Sequence, residues 1–177
     1  MEKFFDFMHS VGKLKDTKRE GWVIKQVLDS ESVADHCFRT AILVMVCADP
    51  HLDVSKCIKM ALIHDLGESG VGDITPHDHV TDGDKHEKER SAVSRLFPKE
   101  ILKLWDEYTA GETHEAKFVY EMDKVEMLIQ AYEYEAENRA KGSLDEFWDY
   151  VKKRVKSRTA VAMVRLLESK RKSGKSL

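Results

Sequence analysis

The segment FVYEMDKVEMLIQAY, residues 118–132, decides the fold class of this chain. Its apolar residues recur with the period of an α-helix that buries one face: Phe118, Val119, Met122, Val125, Ile129 and Tyr132. This stripe predicts one long helix from Thr113 to about Arg139. A carboxylate, Asp123, lies within one turn of Val119 and Met122, where it is hard to solvate if the helix is central.

The rest of the chain shows the same helical period. Further helices are predicted at residues 2–15, 32–48, 53–66, 84–96, 98–109, 143–154 and 156–170. The segment Gly70–Gly83 is rich in turn-forming residues and predicts a loop. We therefore expect an all-α fold of six to eight helices, in one compact domain spanning residues 1–177 with a frayed tail at 171–177.

Three short signals mark the ends of these helices. Ser32 is placed to cap the second helix. Asp84 and Glu87 have the spacing of a capping box at the start of a polar helix. Gly67 is a natural stop for the helix that ends near Leu66.

The composition excludes several classes of protein. Of the 177 residues, 42% are hydrophobic and 34% are charged, while Gly (9) and Pro (3) are scarce, which argues against collagen-like and many-turned all-β chains. The net charge of −3 gives no electrostatic case for binding nucleic acid. The longest apolar run, Ala41–Ala48, falls far short of the ~20 residues that span a bilayer.

The cysteines and the N-terminal segment predict a cytoplasmic protein with no membrane partner. Cys37, Cys47 and Cys57 are odd in number and lie among apolar neighbours, so we expect reduced thiols. The first residues, MEKFFDFMHSVGKLK, mix acids with aromatics and lack the features of a signal peptide.

The dipeptide His64-Asp65, in MALIHDLGE, is the first sign of chemistry. It follows the apolar run Met60–Ile63 at the end of a helix that we expect to be buried. Two ionisable side chains there cost several kcal/mol unless they are paired or bind a metal. A second pair, His77-Asp78, lies in the polar loop, where water satisfies it. A satisfied core histidine is the alternative for His64.

Two further helices place polar groups on apolar faces. His36 lies near the start of a helix that is otherwise almost entirely apolar, and Asp123 lies on the long helix. Together with His64 and Asp65 they offer two nitrogen and two oxygen ligands. Such a set suits a divalent transition ion with positions left for water and substrate.

The order His36 … His64-Asp65 … Asp123 resembles the H…HD…D signature of the HD-domain metal-dependent phosphohydrolases. Within that superfamily the chain looks like the 5′-deoxynucleotidase branch, and the similarity runs from about residue 10 to residue 150. It rests on these segments: REGW (19–22), ESVADHCFR (31–39), ALIHDLGE (61–68), VGDITP (71–76) and EAKFVYEMDKVEM (115–127).

The resemblance implies a role for each matched residue. The two histidines and two aspartates of the signature would ligate one divalent cation, which could be Co, Mn, Mg, Zn, Ni or Fe. Glu68 would be the acid/base residue, and Asp73 would help to bind substrate. Arg19 would orient the phosphate, and Trp22 would lie against the sugar. Arg and Trp are adjacent in some bacterial members, whereas Glu20-Gly21 separates them here, so Lys18 is an alternative phosphate-binding cation.

Each of these residues also has a simpler reading. Glu68 could be an acid at the surface end of a helix, and Arg19 a solvated surface cation. An indole such as that of Trp22 most often packs in the core. An aspartate after a glycine, like Asp73, usually belongs to a turn.

The resemblance implies an enzyme that hydrolyses deoxyribonucleoside 5′-monophosphates to deoxynucleoside and phosphate. One alternative is another HD-type phosphohydrolase that acts on cyclic nucleotides, deoxynucleoside triphosphates or a guanosine alarmone. A second is a non-catalytic helical scaffold or ligand-binding module. Family members tend to be dimers, and the aromatic-rich first helix or the region around Trp148 could supply a homodimer interface.

Overall fold

The computed structural model describes residues 2–75, 78 and 80–173. The described residues form ten helices: α1 (Glu2–Lys13), α2 (Glu20–Ile24), α3 (Val33–Cys47), α4 (Val54–Ile63), α5 (Glu68–Val71), α6 (Asp82–Leu96), α7 (Lys99–Ala110), α8 (His114–Ala136), α9 (Asp145–Arg154) and α10 (Arg158–Ser173). They contain no β-strand, only an isolated bridge between Lys18 and Ser32. The all-α fold class is confirmed.

The helix number exceeds the prediction because two helices are very short. Eight helices have ten or more residues, which matches the upper bound predicted. The other two, α2 and α5, have five and four residues. A single turn carries no repeated apolar stripe, so periodicity could not reveal them.

The predicted helix ends had mixed outcomes. Ser32 caps α3 in a capping box, because its hydroxyl accepts from the Asp35 N–H and the Asp35 carboxylate accepts from the Ser32 N–H. The box at Asp84 and Glu87 is wrong. Thr81 caps α6 instead, and its hydroxyl accepts from the Asp84 N–H at 3.1 Å.

Gly67 does not stop α4, which already ends at Ile63. The turn that follows carries His64 and Asp65 out of the helix before α5 begins. Gly67 is needed there for close packing, since a Cβ at this position would lie 2.6 Å from the Cβ of Glu89. This turn therefore fixes the His-Asp pair between two helices.

The long helix α8 lies at the centre of the core. It packs against α3, α4, α7, α9 and α10, and its Val119, Met122 and Leu128 are fully buried. Trp148 on α9 is also buried, at 1% exposure, with the Arg171 guanidinium over its ring. Trp148 itself thus belongs to the core, and an interface formed by the surrounding surface of α9 stays a prediction.

Three other sequence expectations can be compared with the structure. None of the helices built from the described residues is long and apolar enough to cross a membrane. Cys37, Cys47 and Cys57 are free thiols, and Cys37 and Cys57 are buried. Helix α10 extends to Ser173, so residues 171–173 are helical; the remainder of the tail and His77 lie outside the described residues.

Candidate metal centre

Three elements bring the histidines and aspartates of the signature together. His36 comes from α3, His64 and Asp65 from the turn after α4, and Asp123 from α8. Donor atoms of His36, His64 and Asp65 all lie within 4.8 Å of one another. Asp123 joins the same cluster through its Oδ1, which lies 3.2 Å from His36 Nε2.

Hydrogen bonds hold both imidazoles in one orientation. His64 Nδ1 lies 2.8 Å from the Ala61 carbonyl oxygen, which can only accept. His36 Nδ1 is bonded to the Glu126 carboxylate. In the neutral form of each ring the proton therefore lies on Nδ1, where it is donated to the oxygen. Nε2 then keeps a free lone pair that points into the cluster.

The atoms that face one another across the cluster lack protein partners. Within the described part of the chain, His36 Nε2, His64 Nε2 and Asp123 Oδ1 are buried without a hydrogen-bond partner. Buried polar atoms are rarely left unpaired, because desolvation without a partner costs free energy. Two imidazole nitrogens and a carboxylate oxygen in this state fit a divalent cation that takes N and O ligands.

The electrostatics of the cluster favour positive charge. Burial lowers the pKa of His36, but Glu126 and Asp123 outweigh it and raise that pKa to about 9. Burial likewise opposes the charged form of His64, and Asp65 still raises its pKa. The carboxylates thus favour the protonated form of both rings, and a metal ion competes with these protons for the imidazole nitrogens.

A cleft of about 330 Å³ opens beside the cluster. This volume falls within the roughly 300–1,000 Å³ of small-molecule sites. Arg19, Asp65, Glu68, Asp73 and Asp123 all line it. A larger surface groove of about 1370 Å³ contains none of the residues predicted for the site, so we assign the chemistry to the smaller cleft.

Glu68 and Arg19 stand next to the cluster. Glu68 is the first residue of α5 and is 4% exposed, so the reading of a surface acid is wrong. Burial and the charges of Asp65 and Asp73 raise its pKa, and its Oε2 is unpaired among the described residues. Arg19 is also largely buried, and its Nη1 donates to Asp65 Oδ2 at 3.0 Å.

The other three candidates differ in what they contact. Asp73 accepts a hydrogen bond of 2.7 Å from the backbone N–H of Glu20, next to Arg19. Lys18 donates to a backbone carbonyl and does not line the cleft. Trp22 lines the cleft but is only 1% exposed, and its indole N–H donates to Glu31, so it is mainly a core residue.

Known proteins are similar to this chain in sequence. The sequence profile of the HD domain family matches residues 11–163. The chain belongs to the HD domain family. The 5′-deoxynucleotidase HDDC2 of Mus musculus is 40% identical over 172 residues, covering 93% of this chain and 86% of the relative.

Solved structures show the same HD domain fold. A conserved hypothetical protein from Pyrococcus furiosus superposes with a TM-score of 0.81 at 34% identity, covering 93% of this chain and 99% of the other. The cyanophage S-2L HD phosphohydrolase DatZ was solved bound to dA and one catalytic Zn²⁺ ion. It superposes with a TM-score of 0.61 at 18% identity, covering 93% and 96% of the two chains.

The sequence reasoning missed the groups around Asp123 that complete this HD domain centre. Lys124 Nζ donates to Asp123 Oδ2 at 2.7 Å, and the Tyr108 hydroxyl donates to the same oxygen at 3.3 Å. Both bonds leave Oδ1 facing His36. Glu126 was missed as well. As a second acid on the buried face of α8, one turn after Asp123, it was the one sequence signal that further polar groups surround Asp123.

Glu126 belongs to a hydrogen-bonded network and not to a second metal site. Glu31, His36 and Glu126 also have donor atoms within 4.8 Å of one another. Glu126 already accepts from both His36 and Arg39, and Glu31 accepts from Trp22. These atoms have partners, so the network supports His36 from behind the metal centre.

Proposed function

We propose that this chain is a metal-dependent 5′-nucleotidase that hydrolyses deoxyribonucleoside 5′-monophosphates to deoxynucleoside and phosphate. The observation that carries the proposal is the set of unpaired buried atoms on His36, His64 and Asp123 beside a cleft of nucleotide size. The name of the mouse relative, a 5′-deoxynucleotidase of 40% identity, supports the substrate class.

In this proposal His36, His64, Asp65 and Asp123 hold one divalent cation. Such a cation lowers the pKa of water and polarises a phosphoryl oxygen. The carboxylates balance its charge, and the hydrogen bonds on both Nδ1 atoms keep the imidazoles turned toward it. The ligand types fit several first-row metals, so metal supply decides which ion is bound.

Arg19 is the cation that we assign to the phosphate. It reaches the cleft from the residue before α2, and its guanidinium carries donors in a planar fork that matches phosphate oxygens. Lys85 and Lys124 line the same cleft and add positive charge. Asp73 holds the backbone of Glu20 beside Arg19, so we assign it to positioning this substrate-binding segment.

Glu68 is the residue that we assign to proton transfer. The reaction forms a bond from a water oxygen to phosphorus and breaks the bond from phosphorus to O5′ of the nucleoside. Glu68 takes a proton from the water and delivers one to the leaving O5′. Its burial and raised pKa make the carboxylate a stronger base toward the water and keep the accepted proton on Glu68 for the leaving O5′.

Phosphate release from a panel of deoxynucleoside monophosphates, with added Co²⁺ or Mn²⁺, tests the function. We expect metal-dependent release that is lost in His64→Ala and kept in His51→Ala, a matched change of an exposed histidine. Deoxynucleoside triphosphates and cyclic nucleotides in the same assay test the alternative substrates. Activity that survives in His64→Ala, or a clear preference for triphosphates, would overturn the proposal.

We further propose that residues 1–177 form one domain, and that two copies associate as a homodimer in the cytoplasm. Phe4 and Phe5 on α1 are 58% and 66% exposed, and Phe38 on α3 is 64% exposed. Exposed aromatics at this density favour a protein contact, and free thiols suit a reducing compartment. The molar mass in solution tests the dimer, and a monomer at micromolar concentration would refute it.

A further inference from the structure

Part of the cleft wall comes from α9, outside the segments that carry the HD signature. Phe147 and Tyr150 lie one helical turn apart on α9 and are both half-buried. They line the same cleft as Arg19 and Glu68. The cleft therefore offers two aromatic rings from α9 in addition to charged groups and candidate metal ligands.

Phe147 covers Trp22, the residue expected to touch the sugar. The two ring centroids are 4.4 Å apart with an angle of 37° between the ring planes. Trp22 also has Tyr134 against it in an edge-on contact, at 5.4 Å. With 1% of its surface exposed, Trp22 supports the Phe147 ring, and Phe147 presents the larger aromatic surface to the cleft.

Gly21 allows Phe147 to lie this close to α2. A Cβ at position 21 would lie 3.3 Å from Phe147 Cε1, which is closer than most side chains approach. The two residues that separate Arg19 from Trp22 in this chain thus include the one that makes room for the α9 ring. The spacing of REGW and the position of Phe147 are parts of one arrangement.

Two cationic side chains lie near the ring of Tyr150. The Arg154 guanidinium lies over its ring at 3.5 Å, and Lys124 Nζ, which is bonded to Asp123, lies 6.0 Å from the ring centroid. The Arg154 guanidinium therefore covers one face of the ring and holds it in place, while Lys124 stays too far away to cover the other face.

We infer that Phe147 and Tyr150 form the nucleobase-binding wall of the cleft. The inference rests on the proposed nucleotidase function and adds the site for the purine or pyrimidine ring. A base whose phosphate meets Arg19 occupies another part of the same cleft, and Phe147 and Tyr150 line that cleft. Stacking accepts every base because each has a π-face, so this wall binds bases with little selectivity among them.

Kinetics with two paired substrates test the wall. A deoxynucleoside monophosphate is compared with 2-deoxyribose 5-phosphate, which has the same phosphate and sugar but no base. In Phe147→Leu, and separately in Tyr150→Leu, we expect KM for the nucleotide to rise about 5- to 100-fold. We expect the kinetic constants for 2-deoxyribose 5-phosphate to change less than about twofold.

Phe118→Leu is the matched control, since it makes the same change at a half-buried ring that does not line the cleft, and we expect wild-type constants for both substrates. Equal losses on both substrates in the leucine variants would show a structural role and overturn the inference. So would an unchanged KM for the nucleotide. Equilibrium binding of the same two compounds to the metal-loaded protein makes the comparison without turnover. The two possible failures give different results. If the proposed function is wrong, the wild type releases no phosphate; if only the inference about the wall is wrong, the wild type is active and the leucine variants do not lose nucleotide binding selectively.

Discussion

Substitution of Glu126 by Gln tests whether the support behind His36 controls metal binding. The two Glu126 oxygens accept from different donors, His36 Nδ1 and Arg39 Nε. A glutamine of the same shape has one acceptor oxygen and one NH₂ group, so one of the two donors then faces another donor. Glu126 is fully buried, and water cannot restore the lost bond without rearrangement of the core.

The magnitude follows from these contacts. A partner that orients a metal-bound histidine is worth roughly 10- to 100-fold in metal affinity, or about 1.4–2.8 kcal/mol. Arg39 keeps its bond to Glu133, at 2.6 Å, so the loss of fold stability is smaller than for an isolated buried pair. We expect about 1–2 kcal/mol, which lowers the melting temperature of the metal-free chain by about 2–8 °C.

Competition with a fluorescent chelator measures the metal affinity, and thermal unfolding followed by circular dichroism measures the stability. Glu133→Gln is the control, since it removes the other carboxylate bound to Arg39 without touching His36. We expect it to leave the metal affinity within about twofold. Equal affinities in Glu126→Gln and the wild type would refute the reasoning, as would equal losses in both variants.

Three further predictions concern the metal, the cleft and the fold. A divalent ion at about 100 times its Kd raises the melting temperature by about 5–10 °C, and identical unfolding curves with metal and with EDTA would contradict the site. Arg19→Ala lowers kcat/KM for a deoxynucleotide by about tenfold or more, whereas Lys18→Ala changes it less than about threefold; steady-state kinetics that show the reverse would exchange the two roles. Gly67→Ala lowers the free energy of unfolding in urea by about 1–3 kcal/mol, because the added Cβ meets Glu89. In the control, Gly142→Ala, the added Cβ meets nothing within 4 Å, so the free energy of unfolding changes by less than about 0.5 kcal/mol. Equal effects of the two substitutions would refute the packing argument.

The cluster of signature residues was accessible from sequence for a simple reason. His36 and Asp123 each stand on a helix whose other buried positions are mostly apolar, and His64-Asp65 follows an apolar run. Apolar faces converge on one core, so ionisable groups on those faces converge with them. The same stripes gave the long helices and the all-α class.

The sequence could not predict features that depend on a single helical turn or on contacts between residues that are distant in the chain. The short helices α2 and α5 have no periodicity, and Thr81 was overlooked as a cap because Asp84 has an equally good cap residue type. His36 and Glu126 are 90 residues apart in sequence, and nothing local indicates that they are bonded. Phe147 covers Trp22 only because α9 packs there, which is a property of the folded chain.

The position of Asp123 in the middle of α8 has a kinetic consequence. Because the core packs around α8, we expect its central amides to be among the slowest in the chain to exchange with solvent hydrogen. Fraying at the ends of the helix leaves Asp123 and its neighbour Glu126 in place. We therefore expect a bound ion to leave through the open cleft, which Asp65 and Asp123 line, while the fold stays intact. Its dissociation rate is then independent of denaturant below the unfolding transition.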